Sequence, residues 1–329
     1  MPSKKSSKIK FLKETNKIIL DIDDLKIQGA SNVAFACQDA IVKELQKYKK
    51  ETDKLKDYFF ALCKALWKTR PTEPAMKHFL TSFYLKVETI RKNVPLNLAK
   101  KRLIGFVKKY KISQKKAIDN VATQATRIPI KRKAVIFTHC HSSIVEYVIK
   151  HLHKLGRVEV VVNTETRPLF QGRITANHLA KAGIKVHHIV DSGAYAYAKL
   201  LKQRGKEILF FTGADVITRK GKLINKIGTS QISLCLNSLG IPHYVFTISQ
   251  KIDPVFKGWD LEDVELRDPN EIWKHHQKNL FIHNYAFDIT QKHLIKKIVT
   301  EKGLLESKNL LKHNKLTKKE LEVWNRFDS

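Results

Sequence analysis

The sequence predicts an α/β protein in which an N-terminal helical domain is followed by a Rossmann-like domain with a mainly parallel sheet. Two observations support this fold class. Between residues 12 and 127, apolar residues recur three and four positions apart, which is the spacing of amphipathic helices. Beyond residue 128, short apolar runs alternate with helical stretches, as in βαβ units. We therefore expect a helical domain with a basic tail over residues 1–127 and a Rossmann-like α/β domain over residues 128–329.

Each predicted element has its own local signal. Pro71, Pro74 and Pro95 belong at helix boundaries, and the helices they separate cover residues 31–48, 52–68, 75–92 and 96–109. Each predicted strand is an apolar run that ends in a polar or glycine-containing turn. These runs are 134–137, 158–162, 186–190, 208–211 and 244–248. Residues 127–133 form a basic linker between the two halves.

The formal net charge of +31 raises the question of a nucleic-acid partner. The lysines are spread along the helical segments, and the sequence contains no helix-turn-helix, zinc-finger or RNA-binding aromatic motif. We therefore interpret the excess charge as solvated lysine faces and expect no nucleic-acid partner. A positive field also attracts small anionic substrates, so the charge alone does not identify the ligand.

The cysteines and the apolar runs bear on the compartment. Cys37, Cys63, Cys140 and Cys235 lie far apart and form no C-x-x-C pair. No apolar run reaches the 18 or so residues of a membrane span, and no secretory leader is apparent. We expect a cytoplasmic protein with reduced thiols and no membrane partner. Except for Cys140, the cysteines are expected to be small core residues.

The strand ends are the expected place for a site, because ligands of a parallel sheet bind at its carboxyl edge. Four polar segments follow the first four predicted strands: THCHSS at 138–143, TETRP at 164–168, DSG at 191–193 and TGAD at 212–215. Together they place a thiol, carboxylates, histidines and an arginine along one rim. Their joint position predicts a functional site more strongly than any one segment does.

Two residues on this rim are candidates for acid–base chemistry. Cys140 follows a strand and precedes a helix that begins near Ser142, where a helix N-terminus would lower the pKa of its thiol. The alternative is a cysteine packed under the turn. Asp215 follows an apolar strand and could act as a general acid, although a capping or turn role is common for Asp after Gly-Ala.

Further candidates concern anions and metals. Lys226, in the segment NKIGT, lies where a helix start favours phosphate, and a solvated lysine is the alternative. Arg70 and Arg167 each precede a proline, which suits a guanidinium held rigidly for an anion. His139 and His141 flank Cys140, but side chains two residues apart in a turn need not converge. We therefore predict no metal site and no cofactor.

Several segments of the sequence resemble those of a known family. The segments THCHS, TETRP, QGRITA (171–176), GAD (213–215) and NKIGT (225–229) are similar to those of aldose-phosphate isomerases and translation initiation factor 2B regulatory subunits. Within that superfamily, the similarity is greatest to the archaeal ribose-1,5-bisphosphate isomerases. It extends over nearly the whole chain, through the segments QGA (28–30), TRPT (69–72) and NYAFD (284–288).

The resemblance implies a role for each matching residue. Cys140 would remove the proton from C2 of the sugar, and Asp215 would protonate the ring oxygen. The substrate, a sugar bisphosphate, would be held by Gln28, Gly29, Ala30, Arg70, Ser142, Ser143, Arg167, Asn225, Lys226 and Lys251. The resemblance also implies AMP as an activator and a homo-oligomer, a hexamer built as a trimer of dimers.

Two positions depart from the family pattern. Gln28 stands where the family has an arginine, and Ser143 stands where it has a lysine. Each loss of a charged hydrogen bond is worth roughly 1.5–3 kcal/mol, so phosphate binding is expected to weaken unless other groups compensate. Three functions therefore stay open. They are a ribose-1,5-bisphosphate isomerase of nucleoside-phosphate degradation, a non-catalytic subunit like those of initiation factor 2B, and a methylthioribose-1-phosphate isomerase.

Overall fold

The computed structural model describes residues 9–24, 26–27, 29–70, 73–255, 264–275 and 277–329. These residues form two compact units. One contains the described residues up to Lys115 together with Leu316–Ser329, and the other is Lys116–Lys315. In the described part of the chain, no helix has both the length and the apolar character that a membrane span requires.

The first unit is helical, as predicted. Its helices are α1 Lys13–Asp23, α2 Ala30–Lys47, α3 Leu55–Thr69, α4 Pro74–Glu88, the first part of α5 Leu96–Ala125, and α11 Lys318–Asp328. Pro74 opens α4 at a position where a missing N–H costs nothing. Thr317 and Glu320 form a capping box at the start of α11.

Aromatic side chains join α11 to the other helices of this unit. The rings of Trp67 and Trp324 meet edge to face with centroids 5.0 Å apart, and Phe60 stacks on Phe327 at 5.3 Å. The indole N–H of Trp67 donates to Asp328 at 2.7 Å. Such rings bury a large apolar area and favour edge-to-face contact, so these pairs anchor the C-terminal helix in the helical unit.

The second unit is a seven-stranded sheet in the order β10-β9-β7-β4-β1-β2-β3, parallel except for β10. The strands are β1 Ala134–Thr138, β2 Val158–Thr164, β3 Val186–Ile189, β4 Ile208–Thr212, β7 His243–Phe246, β9 Lys297–Thr300 and β10 Gly303–Leu305. The five predicted strands are therefore confirmed. The helices of this unit, besides the end of α5, are α6 Ser143–Lys154, α7 Gln171–Lys181, α8 Ala194–Gln203, α9 Thr229–Ser238 and α10 Leu310–His313.

A second, small antiparallel sheet was not predicted. It contains β5 Val216–Ile217, β6 Leu223–Lys226 and β8 Phe287–Thr290, with β6 in the centre. Its strands have two to four residues, and β8 lies some sixty residues beyond β6 in the sequence. Because runs this short carry little periodicity, these strands could not be predicted from the pattern of apolar residues.

The division between the units differs from the expected one at residues 127 and 128. The helix α5 ends at Ala125, just before the expected boundary, and the two units divide within this helix, after Lys115. The chain also returns to the helical unit at Leu316. Local composition cannot reveal this return, because it depends on the tertiary packing of α11.

Candidate functional site

The strand order places two loops side by side at the carboxyl edge of the sheet. The chain runs outward in one direction through β1, β2 and β3, and resumes on the other side of β1 with β4. The ends of β1 and β4 therefore flank a topological switch point, where α/β proteins bind ligands. Cys140 follows β1 and Asp215 follows β4.

The two loops approach each other closely at Gly213. A Cβ atom at this position would lie 2.6 Å from the hydroxyl oxygen of Ser142, far inside contact distance. A side chain at residue 213 would therefore force the loops apart. This contact explains the Gly-Ala-Asp sequence in structural terms, because the missing side chain lets Asp215 follow β4 beside the thiol loop.

The backbone of Cys140 is in the left-handed region, with φ of 66°. This conformation is uncommon for a residue with a side chain and requires support from its surroundings. Hydrogen bonds hold the residue on both sides. Its N–H donates to the hydroxyl of Thr166 at 2.9 Å, and its carbonyl accepts from the hydroxyl of Thr175 at 3.0 Å.

The pKa of the Cys140 thiol is raised to about 11, and burial of the sulfur is the main cause. The positive charge of Lys226 and the backbone N–H of His141 oppose this shift, whereas Asp215 and Asp191 add to it. The predicted lowering of this pKa is therefore wrong. The helix α6 begins at Ser143 with Ser142 as its N-cap, so the thiol precedes the first helical turn and gains little from it.

Asp215 lies between β4 and the small sheet. Its side chain is half-buried, and its N–H donates to the carbonyl of Ile224 at 3.1 Å, which ties it to β6. Lys251 lies beside it, since its ammonium donates to the carbonyl of Ala214 at 2.7 Å. The structure thus brings together three of the predicted site residues, Cys140, Asp215 and Lys251, around the ends of β1 and β4.

Lys226 and Lys251 are buried cations. Their exposed fractions are 8% and 7%, and within the described ranges neither forms an ion pair. The ammonium of Lys226 lies 4.9 Å from the centre of the Phe287 ring. Because burying an unpaired charge is costly, two such lysines next to a thiol and a carboxyl group indicate a site for an anion.

The segment after β6 is held by two residues, His139 and Asp288, for which no site role was predicted. His139 is buried, with Nδ1 2.6 Å from the Thr164 hydroxyl and Nε2 2.8 Å from the carbonyl of Ile227. Both ring nitrogens of His139 are thus engaged with protein groups. Gly228, with φ of 99°, packs so closely on this ring that a Cβ would lie 3.1 Å from it.

Asp288 is the second of these residues. Its carboxyl group accepts hydrogen bonds from the N–H groups of Gly228 and Ser230 at 2.8 and 2.9 Å, at the start of α9. Burial nevertheless raises the pKa of Asp288 to about 7. Asp288 is the last residue of the NYAFD segment, whose similarity to the family was the one sign in the sequence that this residue could matter. Its pairing with β6 and α9 was not visible there.

The remaining candidates of this unit have structural partners. Asn225 is buried and donates to the Thr229 hydroxyl at 3.0 Å. Ser142 caps α6 by accepting from Val145, and Ser143 is the exposed first residue of that helix. Arg167 is exposed.

The guanidinium of Arg167 donates to the carbonyl of Ile272 at 3.2 Å and lies over the ring of Phe170. Its backbone is fixed by Asp191, whose carboxylate accepts from the N–H groups of Thr166 and Arg167, each at 2.8 Å. The loop after β2 is therefore rigid, and its arginine side chain is engaged with protein groups.

Three of the described candidates lie in the helical unit. Gly29 has φ of 83° and is the N-cap of α2, and Ala30 is its first residue. Arg70 follows α3, is buried, and pairs with Glu73 at 3.2 Å. Gln28 lies outside the described residues. The roles assigned to these residues remain predictions.

The other cysteines follow the expectation only in part. Cys37 and Cys63 are fully buried in the helical unit, as predicted for core residues. Cys235, in α9, is half-buried and keeps some exposed surface.

Taken together, the fold and the site define a Rossmann-like α/β protein with a thiol, a carboxyl group and buried cations at its switch point. The chain belongs to the Initiation factor 2 subunit family, whose sequence profile matches residues 26–307. It is 32% identical over 302 residues to the ribose 1,5-bisphosphate isomerase of Pyrococcus furiosus, covering 90% of this chain and 91% of that protein.

Two further relatives represent the other functions. The methylthioribose-1-phosphate isomerase of Thermotoga petrophila is 30% identical over 302 residues, which cover 86% of this chain and 84% of that protein. A chain of the tetrameric initiation factor 2B β2δ2 complex from C. thermophilum has the same fold, with a TM-score of 0.74 and 19% identity. That match covers 89% of this chain and 92% of the other.

Proposed function

We propose that this protein is an aldose–ketose isomerase that converts α-D-ribose 1,5-bisphosphate to D-ribulose 1,5-bisphosphate. The observation that carries the proposal is the placement of Cys140 and Asp215 on the loops after β1 and β4, beside the buried lysines 226 and 251. The name of the Pyrococcus furiosus relative supports the same reaction. Nucleoside-phosphate degradation is the route to which we assign it.

The reaction requires an acid and a base at once. A 1-phosphorylated aldose is a closed acetal, so its ring must open before the carbon skeleton can isomerise. Cys140 removes the proton from C2, the C1–C2 double bond forms, and the bond from C1 to the ring oxygen breaks as Asp215 protonates that oxygen. The thiol then returns its proton to C1 while the C2 hydroxyl gives its proton to the carboxylate of Asp215, which yields the ketone and restores both groups.

The raised pKa of Cys140 means that its surroundings must stabilise the thiolate for the reaction to proceed. At neutral pH a thiol with a pKa of about 11 is protonated, whereas the proposed mechanism needs a thiolate. Lys226 stabilises the thiolate, because its charge already acts to lower the pKa of Cys140.

The phosphate groups of the substrate are assigned to the cations and N–H donors. We assign one phosphate to Asn225, Lys226 and Lys251, with Ser142 and Ser143 at the start of α6 as further donors. Arg167 and the helical-unit residues Gln28, Gly29, Ala30 and Arg70 are included on the strength of the family resemblance. Arg167 would first have to release its contact with Ile272.

The second candidate is methylthioribose-1-phosphate isomerisation, which is the same chemistry on a monophosphate. The neutral residues Gln28 and Ser143 and the Thermotoga petrophila relative favour it. A non-catalytic regulatory subunit is the third candidate, and the presence of both Cys140 and Asp215 speaks against it.

One assay separates these functions. The purified protein is incubated with α-ribose 1,5-bisphosphate, with and without AMP, and in parallel with 5-methylthioribose 1-phosphate, and the ketose products are measured by NMR. We expect ribulose 1,5-bisphosphate to form fastest, and AMP to increase its rate. Turnover of the monophosphate alone would establish the second candidate, and no turnover of either substrate would favour the third.

We further propose a cytoplasmic homo-oligomer, a hexamer built as a trimer of dimers. The tetrameric initiation factor complex with the same fold supports assembly in this structural class. Light scattering at micromolar protein concentration measures the mass directly. A monomeric mass that substrate and AMP leave unchanged would contradict the proposed assembly.

A further inference from the structure

Three metal-ligating side chains converge next to the thiol loop, on residues to which the proposed reaction gives no role. They are His141, Glu146 in α6 and His178 in α7. One ligand atom from each lies within 4.8 Å of the other two. The carboxylate Oε2 of Glu146 is 2.9 Å from Nδ1 of His178 and 3.9 Å from Nδ1 of His141.

These separations suit a small divalent transition metal. With metal–ligand distances of about 2.0–2.2 Å and tetrahedral angles, neighbouring ligand atoms lie about 3.4 Å apart. The two separations from Glu146 fall on either side of this value, and shifts of about half an ångström would bring both to it. Two histidines and one glutamate also form a known zinc ligand set that leaves a fourth position for water.

The surroundings of the cluster fix the carboxylate and leave access from solvent. Lys150 binds the other oxygen of Glu146, Oε1, at 2.5 Å, so Oε2 is the oxygen directed at the two imidazole rings. Such a contact orients a ligating carboxylate. The positive charge of Lys150 opposes a bound cation to some extent. The side chain of His178 is 47% exposed, which provides a path for the ion.

The cluster is connected to the proposed base through Thr175. Its hydroxyl donates to the carbonyl of Cys140 at 3.0 Å and lies 3.1 Å from Nδ1 of His141. A metal bound at this nitrogen uses its lone pair, so His141 can no longer donate to Thr175. Because His141 follows Cys140 directly in the chain, metal binding alters the support of the strained thiol loop.

We propose that His141, Glu146 and His178 form a binding site for a zinc-class divalent ion, and that the bound ion slows isomerisation by displacing the loop of Cys140. The second half of this inference depends on the proposed isomerase function, whereas the first half does not. Displacing a reactive group by about 1 Å can cost as much as 10²-fold in rate.

Metal binding is tested first, without reference to activity. The full-length protein is freed of metal with a chelator and dialysed against ZnCl₂, and bound zinc is measured by elemental analysis. We expect one zinc ion per chain, lost in Glu146→Gln and His178→Ala. The matched control is His151→Ala, which removes another histidine of α6 and should retain the ion.

Two outcomes would overturn the site. One is zinc that persists in folded Glu146→Gln and His178→Ala, and the other is zinc lost in Cys140→Ser, which would assign the ion to the thiol. Cobalt(II) provides a second measurement on the wild-type protein, independent of whether the variants fold. A tetrahedral visible spectrum without a thiolate band is expected, and a thiolate band would contradict the ligand set.

Activity is measured last, in wild type and His178→Ala. Saturating zinc should lower the wild-type rate by roughly tenfold or more and leave His178→Ala unaffected. A wild-type rate that zinc does not change, with one ion bound, would disprove the coupling alone. Absence of any isomerase activity would disprove the proposed function and leave the binding result intact.

Discussion

The thiols of the two units differ in what surrounds them. Cys37 and Cys63, in the helical unit, are fully buried, and burial raises the pKa of both well above the ordinary value. The charges that act on them, Glu73 on Cys37 and Cys37 on Cys63, raise the pKa further. Burial also raises the pKa of Cys140, but there Lys226 and a backbone N–H oppose it, and the result is about 11.

This difference distinguishes the two core thiols from the thiol that we propose as the base. Burial alone produces an inert group, because no nearby charge stabilises the thiolate. At Cys140 a buried cation and a hydrogen-bond donor provide that stabilisation, on a loop that also adjoins Asp215. The direction of the pKa shift is the same at all three positions, so the identity of the opposing groups is the informative feature.

The largest expected effect is the fall in kcat when the proposed base or the proposed acid is removed. Cys140→Ser and Asp215→Asn should each lower kcat by roughly 10²–10⁴-fold, the usual contribution of such groups. Substrate binding, followed by calorimetry, should change little. Cys235→Ser, which removes the half-buried thiol of α9, is the control and should retain activity. If Cys140→Ser kept more than about a tenth of the wild-type rate, the distinction between the thiols would fail.

The second effect concerns the cation that distinguishes Cys140. Lys226→Met removes the positive charge, so the pKa of the thiol should rise above about 11 and substrate binding should weaken. With roughly 1.5–3 kcal/mol for a charged hydrogen bond, kcat/KM should fall about 10- to 100-fold. The pH–rate profile should move to higher pH.

Lys220→Met is the matched control, since it removes an exposed lysine from the turn between β5 and β6. Its pH profile should match that of the wild type. A Lys226→Met profile that kept its position on the pH axis would mean that the cation binds phosphate without influencing the thiol.

A third prediction extends the comparison to a buried carboxyl group. The pKa of Asp288 is about 7 in the folded chain, against an ordinary value of 3.8. The folded state therefore binds the proton more tightly, and the associated stability is present below pH 4 and lost as the pH rises towards 7. Between pH 4.5 and 7.5 the loss amounts to about 3 kcal/mol in the free energy of unfolding.

The measurement is urea unfolding at both pH values for the wild type and Asp288→Asn. The variant should lack the decrease of about 3 kcal/mol, so its stability relative to the wild type should rise between pH 4.5 and 7.5. Asp268→Asn, at an exposed aspartate of the same unit, should follow the wild type. Parallel pH dependences of Asp288→Asn and the wild type would contradict the shifted pKa.

The smallest expected effect concerns the two positions that depart from the family pattern. Gln28→Arg combined with Ser143→Lys adds two cations able to form charge-assisted hydrogen bonds with phosphate. The KM for ribose 1,5-bisphosphate should fall by roughly tenfold for each 1.4 kcal/mol gained, with less effect on kcat. The assay requires constant ionic strength, because salt screens such contacts.

The control for this double variant is Ser143→Lys tested with 5-methylthioribose 1-phosphate, which has no second phosphate group. An unchanged or higher KM for the bisphosphate in a well-folded double variant would contradict the weakened clamp. The neutral residues would then be a specificity feature, and the monophosphate would become the better candidate substrate.

Much of the site was accessible from the sequence because its parts are local. The THCHSS and GAD segments could be selected because they follow apolar strands. Lys226 could be selected because it precedes a helix. The lowered pKa assigned to Cys140 was wrong, because the balance between burial and the charge of Lys226 is set by groups distant in the sequence. Asp288 and the cluster of His141, Glu146 and His178 were missed for the same reason, since their partners lie on other elements.

Consecutive residues were enough to predict the fold class, five parallel strands of the second unit and the residues that follow each strand. These features depend on periodicity and on short-range turn chemistry, both of which are written in consecutive residues. Which strand ends meet depends on the tertiary structure, since the order β4-β1-β2 places Cys140 and Asp215 at one switch point. The pKa values of Cys140 and Asp288 also depend on the tertiary structure. The desolvation and the charges that set a pKa come from residues that only folding brings together.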